Sequence, residues 1–326
     1  MNLPVNFLII GAAKSGTTSL QRHLAALDGV YFSPIKEPNF HARHDLDPER
    51  FSVAFRANHR DDLASYFAQA ADPLPARDIA FVRKPEDYAR LFAAADPARH
   101  AVIGEASTTT IWSPSALSSV REMHPNARIL AVLRDPVERM FSHYLMARKY
   151  GFTTLPFREA VEQDMAAPDP SWGRTELFFQ LGCYAAQLGA WFKALPAENL
   201  KVLRTEDLKQ PETWMELADW LGLTAQASEA WAETAASPEN AANTAGLARF
   251  ESLNRSLTAS GLKLKLAAAL PKGLKTRIKK AYYAQGELPT LSEADRAWAE
   301  ELYAEDQWRL EVILKRAGSG SSRRPA

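Results

Sequence analysis

The chain has 326 residues, 46% of them hydrophobic, enough to bury at least one substantial core, which excludes a disordered or peptide-like protein. Its 39 Lys and Arg balance 39 Asp and Glu, so no global field draws it to nucleic acid or to an anionic membrane, and any anion site must be local. The single cysteine, Cys183, excludes an internal disulfide framework and a thiolate zinc cluster, and fits a reducing compartment.

Residues 1–11 carry no basic run, and their apolar stretch is too short for a signal peptide or a membrane span. We therefore expect a cytoplasmic protein without a transmembrane segment. Short apolar, β-rich runs recur at 7–10, 30–32, 101–103, 129–133 and 200–203. Segments with helical spacing alternate with them, at 17–27, 137–150, 177–195, 214–221 and 292–315. That alternation predicts an α/β fold with a central parallel β-sheet flanked by helices. Strands buried on both faces read as continuously apolar, which makes 7–10 and 129–133 the central ones. Asp135 followed by Pro136 supplies a cap and a first-turn proline for the helix that opens there. Residues 45–97 are rich in proline and charge, with weak periodicity, and read as an insertion around the sheet. The expectation is one domain over 1–317. The Gly- and Ser-rich residues 318–326 have nothing to bury and read as a disordered tail.

The first strand runs into Gly11-Ala12-Ala13-Lys14-Ser15-Gly16-Thr17-Thr18-Ser19-Leu20 and then into a helix. In this arrangement backbone amides and a helix N-terminus surround a phosphate, and small residues let the main chain approach it closely. A nucleoside-triphosphate loop has the form GxxxxGK[ST], with lysine directly before the helix and a hydroxyl placed for Mg²⁺. Here Lys14 stands in mid-loop, two residues before Gly16. Taken alone, the loop leaves three readings open: a strand-to-helix turn with a solvent-facing lysine, a nucleotide or small-molecule kinase of similar fold, and a non-catalytic nucleotide-binding protein.

Lys14-Ser15-Gly16-Thr17-Thr18-Ser19-Leu20 resembles the K-[S/T/G]-G-T-[T/S]-x-L loop of sulfotransferases that use 3′-phosphoadenosine 5′-phosphosulfate (PAPS). The resemblance implies a P-loop-like phosphosulfate loop after the first strand, with Lys14, Ser15, Gly16, Thr17, Thr18 and Ser19 on the 5′-phosphosulfate. The block from Ile129 through Arg134-Asp135-Pro136 to Ser142-His143-Tyr144 looks like the family's 3′-phosphate segment, which implies that Arg134 and Ser142 hold the 3′-phosphate. The chemistry agrees, because guanidinium is a bidentate phosphate donor and a hydroxyl adds a further hydrogen bond.

Lys36-Glu37-Pro38-Asn39-Phe40-His41 resembles the K-E-x-[H/Q/N]-F-F segment of carbohydrate-type members, which implies Glu37 as catalytic base. Lys36, Asn39 and His41 would then face the acceptor; many relatives carry histidine where this chain has Asn39. Gly104-Glu105-Ala106-Ser107-Thr108 resembles a G-E-x-[S/T]-P strand end near the acceptor site, with Thr109 where proline is common, and adds Glu105 to the acceptor side. The segments Gly182-Cys183-Tyr184 to Trp191 and 200–208 resemble parts of the family that look structural. Asn243 through Arg249 resembles a loop that closes over adenosine, which adds Asn243 and Arg249 to the co-substrate residues.

The resemblance implies transfer of a sulfuryl group, with Lys14 stabilising charge on the leaving phosphate, Glu37 taking the acceptor's proton, and no metal. The expected partners are PAPS and an acceptor saccharide, glycolipid or small metabolite, with no nucleic acid. The basic segment 263–283 reads either as a solvated helix face or as an attractor for an anionic acceptor or lipid. Trp112 and Trp172 read as packing residues or as platforms for sugar rings.

Overall fold

A computed structural model of the chain describes residues 3–56, 59, 62–237, 250–262 and 288–320, with residues 318–320 as backbone only. Asn243, Arg249, the basic segment 263–283 and residues 321–326 lie outside the described residues.

Seven strands occur in chain order: β1 (Phe7–Gly11), β2 (Val30–Phe32), β3 (Ile35–Glu37), β4 (Arg77–Ile79), β5 (Val102–Ala106), β6 (Arg128–Leu133) and β7 (Leu200–Arg204) among the described residues. The principal helices are α1 (Thr17–Leu24), α2 (Ala116–Met123), α3 (Pro136–Tyr150), α4 (Tyr184–Ala194), α5 (Pro211–Leu221), α6 (Glu251–Ala259) and α7 (Glu293–Gly320). Five strands form one parallel sheet in the order β2-β5-β1-β6-β7, while β3 and β4 pair in a separate two-stranded sheet. The expected α/β architecture is therefore present, with β1 at the centre and β6 beside it.

Alternation along β1 explains the layering. Leu8 and Ile10 face a core completed by Val120 of α2, Leu188 and Trp191 of α4 and Leu310 of α7. Phe7 and Ile9 face the opposite core, against Leu20 and Leu24 of α1 and Trp214 and Leu217 of α5. Each fully buried Leu, Ile or Phe side chain contributes about 1.5–3 kcal/mol, so a strand apolar on both faces is held from both sides. The segment 45–97 contributes β4, which pairs with β3 outside the five-stranded sheet, and it buries Tyr66, Val82, Tyr88 and Phe92 in the core shared with Leu8 and Ile10.

The helix expected over 177–195 is interrupted. Asp164 accepts hydrogen bonds from the backbone N–H groups of Glu176 (2.7 Å), Leu177 (3.2 Å) and Phe178 (2.8 Å), and Leu177 takes a left-handed φ of 54°. Only a short 3-10 turn at Gln180–Gly182 precedes α4, which begins at Tyr184. Bonds captured by a distant carboxylate have no trace in local periodicity, and they override it. At the other end of the chain, α7 continues to Gly320, past Gly318 where a loose tail was expected.

Parallel pairing places the carboxyl ends of β1, β5, β6 and β7 along one edge of the sheet, where ligands of open α/β folds bind. The loop at Lys14, the turn at Thr108, Arg134 and Thr205 all leave from that edge.

Candidate active site

The loop after β1 is shaped by backbone that few residues adopt. Lys14 has φ 68° and Gly16, the residue capping α1, has φ 88°, a left-handed conformation that favours glycine. No side chain caps α1 and its first turn holds no acidic residue, so its leading N–H groups point into the loop without a competing anion. Ser15 is completely buried. The Thr205 hydroxyl, just past β7, lies 3.1 Å from both the Ser15 and the Leu133 carbonyl oxygens and donates to them, which ties the loop to the ends of β6 and β7.

The electrostatics are one-sided. Burial, reinforced by the charges of Arg134, Lys149, Arg139 and Lys36, lowers the Lys14 ammonium from 10.5 to about 8. None of these charged groups is a carboxylate, and Lys14 Nζ has a sulfur neighbour, Met146 Sδ, at 3.7 Å. Such a cluster of cations above open amides is complementary to a multiply charged anion.

Arg134 follows β6, and its guanidinium lies 3.4 Å from Glu138, which also pairs with Arg296. Asp135 accepts from the Glu138 N–H at 2.9 Å and Pro136 opens α3, so the expected cap is in place. Ser142, Met146 and Lys149 follow at helical spacing on one face of α3, and the Met146 contact aims that face at Lys14. The structure thus brings Lys14, Ser15, Gly16, Thr17, Thr18, Ser19, Arg134 and Ser142 to one region. It adds Arg139 and Lys149, which the sequence reading passed over. Lys149 was legible in principle, seven residues after Ser142 on the same helical face. Arg139 is fully buried and donates to the Phe178 carbonyl, a tertiary contact without a local signal.

Tyr184, read from sequence as structural, is buried beside Ser15 and the Arg134 backbone. Its hydroxyl interacts with Ser15 and with the Arg134 backbone.

On the acceptor side, Glu37 ends β3 with its side chain 12% exposed. Its Oε1 lies 3.2 Å from Lys36 Nζ, and its Oε2 accepts from the Thr108 hydroxyl at 3.2 Å. Asn39, His41 and Glu105, expected on the acceptor side, are buried. Asn39 is 1% exposed: its amide donates to the Glu37 and Ala80 carbonyls at 2.9 Å each and accepts from Thr109 at 2.7 Å. These bonds join β3 to the turn at Thr109. His41 is fully buried between Ser119 Oγ (3.0 Å) and Tyr88 Oη (3.1 Å), and burial holds its imidazole well below the usual range. Glu105 is 1% exposed and accepts from Ser107 at 2.7 Å. Burial raises its carboxyl to about 8, against the Ser107 hydrogen bond and helped by the Glu37 charge. These three residues form a buried polar layer behind Glu37.

Trp112 and Trp172 pack against each other with ring centroids 5.8 Å apart. Among the described residues no cluster of three His, Cys, Asp or Glu side chains could hold a metal ion, and no helix is long and apolar enough to cross a membrane.

The parallel sheet, with a lysine-bearing loop heading its first helix, has the architecture of a group-transfer enzyme. The chain belongs to the sulfotransferase family, whose model matches residues 6–227. It is 28% identical over 235 residues to carbohydrate sulfotransferase 15 of Homo sapiens, a match covering 62% of this chain and 40% of that protein. The Mus musculus carbohydrate sulfotransferase 15 matches equally, at 28% over 236 residues and the same coverage. The match thus spans well under half the length of these relatives. The crystal structure of a sulfotransferase from Alicyclobacillus acidocaldarius superposes with a TM-score of 0.54 at 24% identity, covering 84% of this chain and 99% of that one, and it shares the fold.

Proposed function

We propose that the protein transfers the sulfuryl group of PAPS to a hydroxyl of a saccharide or glycoconjugate. The observation that carries this reading is Lys14 itself: a part-buried ammonium at the head of α1, lowered by burial and by the charges of Arg134, Lys149, Arg139 and Lys36. Adenosine 3′,5′-bisphosphate, the part of PAPS left after transfer, carries two phosphates. Lys14 with the α1 amides suits one of them, and Arg134 with Ser142 suits the other. The carbohydrate-acting relatives support a saccharide acceptor.

The chemistry is loose group transfer, so the protein contributes alignment and charge stabilisation. Bound PAPS supplies the sulfuryl group and the 5′-phosphate leaving group. Lys14 and the amides of residues 16–18 hold that phosphate and stabilise the charge it gains as its bond to sulfur breaks. Glu37 accepts the proton released as the acceptor oxygen bonds to sulfur. Arg134 and Ser142 hold the 3′-phosphate and so set the register of the nucleotide along the sheet edge. Asn243 and Arg249 keep their assignment to the adenosine side as a proposal from the sequence pattern alone.

Retention on immobilised adenosine 3′,5′-bisphosphate, and not on ATP, is the expected result; the reverse preference would favour a kinase. A screen of saccharide acceptors with radiolabelled PAPS, followed by mass spectrometry, identifies the product. EDTA should leave turnover unchanged, because Lys14 does not stand in the GK[ST] ending that positions Mg²⁺.

A further inference from the structure

Glu37 and the Lys14 loop belong to different sheets. Glu37 ends β3, in the two-stranded sheet, whereas Lys14 follows β1 in the five-stranded sheet. A base useful in transfer has to be held against the loop to within a fraction of an ångström, so something must register one sheet on the other.

The turn after β5 does this. β5 is hydrogen-bonded beside β1, with Leu8 opposite Glu105 and Ile9 opposite Ala106, so residues just past Ala106 share the rigid frame of the loop. Three successive hydroxyls leave that turn toward β3. Ser107 Oγ accepts the Asn39 N–H at 3.0 Å and Thr109 donates to the Asn39 amide oxygen at 2.7 Å, which docks the backbone. Thr108 donates to Glu37 Oε2 at 3.2 Å, which docks the carboxylate itself.

The two partners of the carboxylate are unequal. Lys36 precedes Glu37 in the chain and brings a long side chain, 27% exposed, that moves with β3. Thr108 comes from the other sheet, is only 6% exposed, and is β-branched with a single stiff torsion to its hydroxyl. We propose that Thr108 is a positioning residue for sulfuryl transfer, fixing the Glu37 carboxylate relative to the Lys14 loop. This rests on the reading of Glu37 as the proton acceptor. Thr108 donates its hydroxyl proton and makes no bond to the reacting atoms.

The test compares wild type with Thr108→Val, Thr108→Ser and Glu37→Gln. Turnover is read as adenosine 3′,5′-bisphosphate released from PAPS, with water and with a pool of neutral and acidic oligosaccharides as acceptors, beside the KM for PAPS, the Tm and a crystal structure of each. Thr108→Val keeps the shape and removes the donor. Its kcat should fall about 10- to 100-fold with the KM for PAPS within about twofold, and the Glu37 carboxylate should leave its place. Thr108→Ser restores the donor and should return kcat to within about threefold. A Thr108→Val enzyme with wild-type kcat, or a Thr108→Ser enzyme as impaired as Thr108→Val, overturns the proposal.

If Glu37→Gln turns over normally, the reading of Glu37 fails instead, and that result is independent of both Thr108 variants. Should Thr108→Val fold poorly, Thr108→Pro serves. The φ of −71° at this position suits proline, and the same loss of kcat is expected.

Discussion

The Lys14 ammonium and the Arg134 guanidinium, one past the end of β1 and the other past the end of β6, repel each other: after burial, the Arg134 charge is the largest influence lowering Lys14 to about 8. Arg134 is paired with Glu138, and the charges acting on Lys14 are cationic. The first two predictions test the two halves of the candidate site.

Binding of adenosine 3′,5′-bisphosphate should weaken as pH rises through about 8. Lys14 is protonated below that value and neutral above it, and a phosphate binds the protonated form, so the bound anion also raises the lysine. Calorimetry from pH 7 to 9.5 should show about a tenfold loss in affinity for wild type. Lys14→Arg keeps its charge throughout and should flatten the curve.

Arg134→Ala should weaken binding of adenosine 3′,5′-bisphosphate far more than binding of AMP, because only the former carries a 3′-phosphate. A charged, bidentate contact contributes about 1.5–3 kcal/mol, roughly a 10- to 150-fold change in selectivity. Calorimetry with both nucleotides measures it, and equal losses would remove Arg134 from the 3′-phosphate. The existing Glu138 partner tempers the effect, since the guanidinium exchanges one anion for another.

Glu37→Gln keeps size and hydrogen-bonding capacity but cannot take the acceptor proton. Its kcat should fall about 10²- to 10⁴-fold, with affinity for adenosine 3′,5′-bisphosphate nearly unchanged. If Glu37 only pairs with Lys36, the rate stays within a few fold and the Tm falls instead. His41 cannot replace it without rearrangement, being enclosed by Ser119 and Tyr88.

Asp164→Ala should destabilise the fold by about 2–4 kcal/mol, because it leaves the N–H groups of Glu176, Leu177 and Phe178 without their acceptor. Asp164→Asn retains one acceptor oxygen and should lose roughly half as much. Denaturant melts of both variants check the order. Arg139 bonds to the Phe178 carbonyl in the same segment, so nucleotide affinity should fall along with stability.

What the sequence determined by itself is local. Four apolar residues before Gly11 make a strand buried on both faces, and Asp135 with Pro136 starts a helix wherever it is placed. Small residues around Lys14 make a loop that admits an anion. Each signal lies within a few consecutive residues, where backbone sterics and capping act without help from the rest of the chain. The tertiary structure decided what depends on residues far apart in sequence. Asp164 breaks the periodicity at Leu177 from outside that segment. Asn39, His41 and Glu105 carry polar groups that suit a substrate equally well, and only packing against Thr109, Tyr88 and Ser107 turned them into buried structure. Thr108 and Glu37 stand 71 positions apart and meet only where the turn after β5 reaches β3 of the second sheet. A hydrogen bond acts over about 3 Å of space whatever the separation in sequence, so no pattern along the chain announces it.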